Sequence, residues 1–139
     1  MKITKEITFD SAHMLSNYNG KCNNLHGHTY KLQIEVEGEI RSNRMVIDFN
    51  DLKKTIEETV MVNFDHAVIF SDSKFRNEAE QALYEWAKKY NKKYFVMPYG
   101  KTTCEDIAPV IQQNLQLVLG AGYKIGVRLW ETPTSFVEA

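Results

Sequence analysis

From Ile3 to His13 the apolar residues Ile3, Ile7 and Phe9 fall on odd positions, and from His26 to Gly38 the residues Tyr30, Leu32, Ile34 and Val36 fall on even ones. Period-two alternation puts each set on one side of an extended chain, so both segments are predicted strands with a single buried face. Met45 to Phe49 reads as a further short strand leading to Asn50, a favourable N-cap. Leu52, Ile56 and Val60, at fourfold spacing, then predict a helix to about Val62. Glu78 to Tyr90 predicts a surface helix with Ala79, Ala82, Leu83, Trp86 and Ala87 on its inner side and charges on the other. Thr102-Thr103-Cys104-Glu105 has capping-box spacing and opens a helix carrying Ile107, Val110, Ile111, Leu115 and Val118, closed by Gly120 or Gly122. A last strand places Glu131 on the same face as Ile125, Val127 and Leu129. The order strands, helices, strand predicts an α+β domain with an antiparallel sheet covered by helices on one side. No repeat or Pro/Gly/Ser-rich linker divides residues 1–139, which read as one domain.

Composition narrows the classes. Seventeen Lys and Arg against 18 Asp and Glu give a net charge of −1, and 43% of residues are apolar. That balance argues against a disordered tail and a broadly basic nucleic-acid binder. The opening MKITKEITFD is charged where a secretory signal needs an apolar run, and no later segment approaches a membrane span, so a cytoplasmic protein with no membrane partner is expected. Two cysteines, Cys22 and Cys104, are too few for a disulfide framework.

The chain has four histidines, and three of them continue the apolar faces of the opening strands. His13 keeps the parity of Ile3, Ile7 and Phe9; His26 and His28 keep that of Leu32, Ile34 and Val36. Residues two apart on a strand project to one side roughly 7 Å apart, so two imidazoles can converge on an ion and the third arrives from the neighbouring strand. Three neutral imidazoles suit Zn²⁺ and leave a fourth tetrahedral position open, the catalytic rather than the structural arrangement. The plainer alternative is a set of hydrogen-bonded core histidines.

Cys22 lies in the loop Gly20-Lys21-Cys22-Asn23-Asn24-Leu25, just before His26. A thiol beside a metal and a lysine suits a thiolate base or nucleophile, against the alternative of an inert small residue. Cys104, in a helical first turn with no histidine nearby in sequence, fits the inert role. Asp65-His66 can relay a proton to or from a thiol, or form a turn with a surface ion pair. Glu131, at a strand end, can accept two parallel hydrogen bonds from an amidine-like N–H edge such as that of a guanine or pterin ring, against the alternative of an ordinary solvated carboxylate. Thr103 and Glu105 can touch a ligand at the helix start, although capping accounts for both.

Taken in order, Phe9-Asp10-Ser11-Ala12-His13, Cys22-x-x-x-His26-Gly27-His28, Met45-Val46-Ile47-Asp48-Phe49, Asp65-His66, Thr103-x-Glu105 and Trp130-Glu131-Thr132-Pro133-Thr134-Ser135 resemble the 6-pyruvoyltetrahydropterin synthase family over nearly the whole chain. The three residues between Cys22 and His26 are similar to the bacterial 6-carboxy-5,6,7,8-tetrahydropterin synthases of queuosine biosynthesis; the pyruvoyl-forming enzymes usually have five. The resemblance implies a tunnelling fold assembled as a hexamer of two stacked trimers with sites between subunits. It also implies Zn²⁺ on His13, His26 and His28, Cys22 as general base, Asp65 and His66 as its relay, and Glu131 as pterin anchor. The implied substrate is 7,8-dihydroneopterin triphosphate, a small molecule converted with water to 6-carboxytetrahydropterin, acetaldehyde and triphosphate. Pyruvoyltetrahydropterin formation, a non-catalytic pterin- or zinc-binding module, and a Cys-His-Asp acyl-transfer enzyme remain open alternatives. Asp72 to Tyr94 is longer and more charged than in compact members of the family.

Overall fold

The computed structural model describes residues 1–139 and is built on two 12-residue strands, β1 (Lys2–His13) and β2 (His26–Glu37), paired antiparallel along their full length. Their register is set by the buried faces: a slip of one residue would turn every apolar side chain to solvent. The alignment that stacks Phe9 on Tyr30, with ring centroids 5.1 Å apart, also sets His13 opposite His26. On the β2 side, β5 (Lys124–Thr132) and β6 (Ser135–Glu138) continue the antiparallel sheet. On the β1 side, β3 (Ala67–Phe70) and β4 (Tyr94–Val96) run parallel to their neighbours. The sheet order is therefore β4-β3-β1-β2-β5-β6, a mixed sheet within the expected α+β class. The parallel edge escaped prediction because β3 is a bare apolar run without alternation and β4 is three residues long.

One face of the sheet carries the core. Buried Tyr30, Leu32, Ile34, Val36, Ile125, Val127 and Leu129 meet α4 (Cys104–Leu119), which buries Ile107, Ala108, Val110, Ile111 and Leu115 and ends at Gly120 with φ 87°. Beside it, α1 (Phe49–Ile56) passes through a π-helical turn, Glu57–Met61, into α2 (Val62–Phe64). A strict four-residue repeat overshoots a 3.6-residue turn by about 40° per step. The wider π-helical turn takes back part of that drift, so Leu52, Ile56, Val60 and Phe64 all face the core.

Two expectations fail locally. Met45 to Phe49 is not a strand: it pairs with no strand of the sheet, although β3 covers the outer edge of β1 only at Ser11 and Ala12, only Val46 of the segment is buried, and Asp48 rather than Asn50 caps α1 by accepting the Asn50 N–H at 2.7 Å. The helix α3 (Glu78–Lys89), capped by Asn77, is rotated from the expected face. Ala79, Ala82 and Trp86 are exposed, while Glu80 and Ala87 are buried. A carboxylate replaces an apolar residue in the contact because neutral donors converge on it, as described below. No helix is long and apolar enough to cross a membrane.

Candidate active site

The β1–β2 register delivers the three imidazoles to one point at the end of the sheet. The candidate ligand nitrogens of His13, His26 and His28 all lie within 4.8 Å of one another, and His13 Nε2 is 3.1 Å from His26 Nε2. The outer nitrogens are occupied by the backbone: His13 Nδ1 donates to the Thr102 carbonyl at 2.8 Å and His26 Nδ1 to the Asn24 carbonyl at 2.7 Å. Each Nδ1 therefore carries the proton, and each Nε2 turns its lone pair inward, the arrangement metal-binding histidines use to fix tautomer and ring angle. Two lone pairs facing each other repel unless a cation or proton lies between them, and His28 Nε2 is buried without any hydrogen-bond partner. Tetrahedral coordination by imidazole places the nitrogens roughly 3.4 Å apart. The cluster fits a metal ion. Burial pushes His13 down to about 4 and also lowers His28, where nearby Glu131 acts in the opposite direction. Both imidazoles are neutral near pH 7, as a ligand must be.

Glu131 joins this cluster to a cleft. Its Oε1 lies 3.7 Å from both His13 Nε2 and His28 Nε2, and its side chain also lines a concavity of about 330 Å³ with Cys22, Thr103, Cys104 and Glu105. That volume suits a small heterocycle, and the lining mixes apolar walls with a few polar groups. Thr103 occupies the N-cap position of α4, but its side chain makes no capping hydrogen bond, and the Thr102 hydroxyl donates to the Met14 carbonyl instead. The capping box expected for this segment does not form; Thr103 and Glu105 are left facing the cleft. Cys22 is half-buried on a short 3-10 turn, Lys21–Asn23, held by Leu15 N–H donating to the Cys22 carbonyl at 2.8 Å. Cys104 shares the cleft wall, but burial, helped by Glu131 and Glu105, pushes its thiol up to about 12. It stays protonated and inert.

Asp65 and His66 stand elsewhere. His66 Nδ1 is 3.0 Å from Asp65 Oδ2, and His66 borders a separate concavity with Asp10, Gly27, His28 and Thr29, away from Cys22. The turn is held by β1: Asp10 N–H donates to Asp65 Oδ1 at 3.1 Å, and His66 N–H donates to the Asp10 carbonyl at 2.7 Å. Burial acts to raise the Asp65 carboxyl, but the Asp10 N–H and His66 together hold it below the usual carboxylate range.

Within one chain the structure thus brings together His13, His26, His28, Cys22, Glu131, Thr103 and Glu105, and leaves Asp65 and His66 apart. Sequence reasoning missed Tyr18 and the β6 residues Ser135, Phe136 and Val137, which complete the cleft wall. The signal for β6 was the turn Pro133-Thr134 directly after β5.

The 6-pyruvoyl tetrahydropterin synthase family model matches residues 2–139. The chain belongs to this family. It is 43% identical to a Haemophilus influenzae 6-carboxy-5,6,7,8-tetrahydropterin synthase, covering 99% of this chain and 96% of that one. It is 30% identical to the Homo sapiens 6-pyruvoyl tetrahydrobiopterin synthase, covering 98% and 88%. A solved Plasmodium vivax 6-pyruvoyltetrahydropterin synthase variant superposes with a TM-score of 0.75 at 18% identity, covering 100% of this chain and 96% of that one, a likeness of fold. Members of the 6-pyruvoyl tetrahydropterin synthase family are enzymes, and the cleft beside the histidines is where this chain gathers its chemically capable side chains.

Proposed function

We propose that this chain is a 6-carboxy-5,6,7,8-tetrahydropterin synthase, converting 7,8-dihydroneopterin triphosphate and water to 6-carboxytetrahydropterin, acetaldehyde and triphosphate in the cytoplasm, as a step of queuosine biosynthesis. The observation that carries the reading is the position of Glu131, which touches the histidine cluster and lines the cleft that also holds Cys22. A pterin edge held there presents its side chain to the histidines and the thiol together. The three-residue spacing from Cys22 to His26, and the higher identity to the carboxy-forming relative, support that branch over the pyruvoyl-forming one.

His13, His26 and His28 would hold Zn²⁺ through Nε2, with the Thr102 and Asn24 carbonyls keeping two of the rings in orientation. Bound there, Zn²⁺ supplies a Lewis acid for the side-chain hydroxyls of the substrate and makes the neighbouring C–H easier to deprotonate. Cys22 Sγ takes that proton as general base, a contribution typically worth ~10²–10⁴-fold. Glu131 accepts two adjacent ring N–H groups at its two carboxylate oxygens, and Thr103 and Glu105 flank the ring from the start of α4. Cys104, protonated at any physiological pH, shapes the wall and carries no proton.

Asp65 and His66 complete the relay from a neighbouring subunit, within a hexamer of two trimers. Their separation from Cys22 in one chain supports sites built between subunits, and so does the exposure of His66. Incubation of the zinc-loaded protein with 7,8-dihydroneopterin triphosphate, with products identified by mass, tests the reading. Acetaldehyde with 6-carboxytetrahydropterin is expected; pyruvoyltetrahydropterin without acetaldehyde would assign the chain to the other branch.

A further inference from the structure

The stretch from Asp72 to Tyr94 takes no part in that reaction, yet it is fastened to the Cys22 loop through one buried carboxylate. Glu80, in the first turn of α3, is 0% exposed. Its oxygens meet neutral donors: Oε1 accepts the Ser71 N–H at the end of β3, at 2.6 Å, and Oε2 accepts the Ser16 hydroxyl. Ser16 Oγ in turn accepts the Asn77 N–H at 3.0 Å, and Asn77 Oδ1 accepts the Glu80 N–H at 2.9 Å. Three of these bonds close a ring through Glu80, Ser16 and Asn77 that includes one residue of the loop after β1, and the fourth ties it to β3. Ser16 is itself buried.

A carboxylate is costly to bury and is kept only where donors converge on it. What the carboxylate adds is direction, because its bonds fix where Ser16 lies. The loop is gripped at a second point, where the Thr102 hydroxyl donates to the Met14 carbonyl at 3.2 Å. Leu15, whose N–H holds the Cys22 carbonyl at 2.8 Å, sits between these two fixed positions. Thr102 is also the residue whose carbonyl orients His13. The thiol loop and the first histidine are thus referenced to one frame, of which Glu80 supplies the outer anchor.

We propose that Glu80, acting through Ser16, is a positioning residue that holds the Cys22 thiol in place relative to the three histidines. The proposal rests on the role given to Cys22 above, and it assigns the added segment a task in the site. Three variants test it: Ser16→Ala, Glu80→Leu, and Glu80→Gln, whose amide keeps an acceptor for Ser71 N–H and a donor for Ser16 Oγ. The readouts are kcat with dihydroneopterin triphosphate, affinity for neopterin, bound zinc, and the rate at which iodoacetamide alkylates each cysteine, resolved by peptide mass. Ser16→Ala and Glu80→Leu are expected to alkylate at Cys22 roughly tenfold faster as the loop loosens. They are also expected to lose roughly ten- to a hundredfold in kcat, since a misplacement of about an ångström has that effect. Zinc content, neopterin affinity and Cys104 labelling should stay at wild-type values, and Glu80→Gln should restore both altered readouts. Cys22 labelling and kcat unchanged in Ser16→Ala, a variant lacking one oxygen, would overturn the proposal. So would loss of zinc or faster Cys104 labelling in equal measure, which would mark a general loosening. If the wild type fails to turn over this substrate, the proposed function falls, while the alkylation rates still decide the tether.

Discussion

Two places in the molecule set histidine beside carboxylate, and they differ in almost every physical respect. At the end of β1 and β2, His13 is 1% exposed, its Nδ1 is spent on a backbone carbonyl, and Glu131 stands 3.7 Å from its Nε2. At the turn after α2, His66 leaves 76% of its side chain in solvent, beside an Asp65 held below the usual carboxylate range. The first imidazole is kept neutral with one inward lone pair, which suits a cation; the second stands open to solvent. Burial and the partner of the second ring nitrogen, more than the residue pair itself, separate a ligand from a proton carrier.

The sharpest way to break this comparison is to remove a ligand. His26→Ala or His28→Ala should lose essentially all bound zinc and all turnover, read by metal analysis of the purified protein; wild-type metal content in both would dissolve the cluster as a metal site. Next in size is the pair of thiols. Cys22→Ala should keep zinc and lose ~10²–10⁴-fold in kcat, while Cys104→Ala should be nearly silent. Equal activity of the two would move the base elsewhere.

The pH dependence of stability separates the two histidines directly. With the folded His13 pKa at about 4 and an unfolded value near 6.5, the unfolded chain binds more protons between those limits, so stability is present above about 6.5 and is lost as pH falls toward 4. Denaturant unfolding of the metal-free protein should show a loss of about 2 kcal/mol between pH 7 and 5 from His13. His66→Ala should retain that slope, and a flat profile would contradict the buried, neutral state of His13. At the cleft, Glu131→Gln replaces one acceptor by a donor facing a ring N–H. It should cost roughly 1.5–3 kcal/mol of neopterin affinity by calorimetry, with zinc unchanged. Smallest of all, His66→Ala should alter stability by no more than about 0.5 kcal/mol, since it removes only an exposed ion pair. A large destabilisation would give the turn a structural role instead.

Much of the site was legible because strands report their faces through parity. Ile7, Phe9, Leu32 and Ile34 have to be buried, and their alternation carries His13, His26, His28 and Glu131 to the same side without any knowledge of the sheet. Loops and short edges carry no such period. The β3 and β4 strands, the β5–β6 hairpin and the true face of α3 were therefore hidden, and Glu80 was read as one more surface charge. Met45 to Phe49 misled for the complementary reason: an apolar run becomes a strand only by pairing with a sheet, and this one buries Val46 alone and leads into α1 without pairing.

By itself, then, the sequence determined the two long strands, the α+β class, the core-facing side of α4 and the candidate ligand set, because each follows from local periodicity and from side-chain chemistry. The tertiary structure alone decided which backbone carbonyls orient the imidazoles, that Cys22 and Glu131 share one cleft while His66, beside Asp65, borders another, and that a buried carboxylate ties α3 to the thiol loop. Those facts depend on contacts between residues such as His13 and Thr102, or Ser16 and Glu80, that lie far apart along the chain. No period along the sequence encodes them; they exist only once strand register and helix docking have fixed the distances.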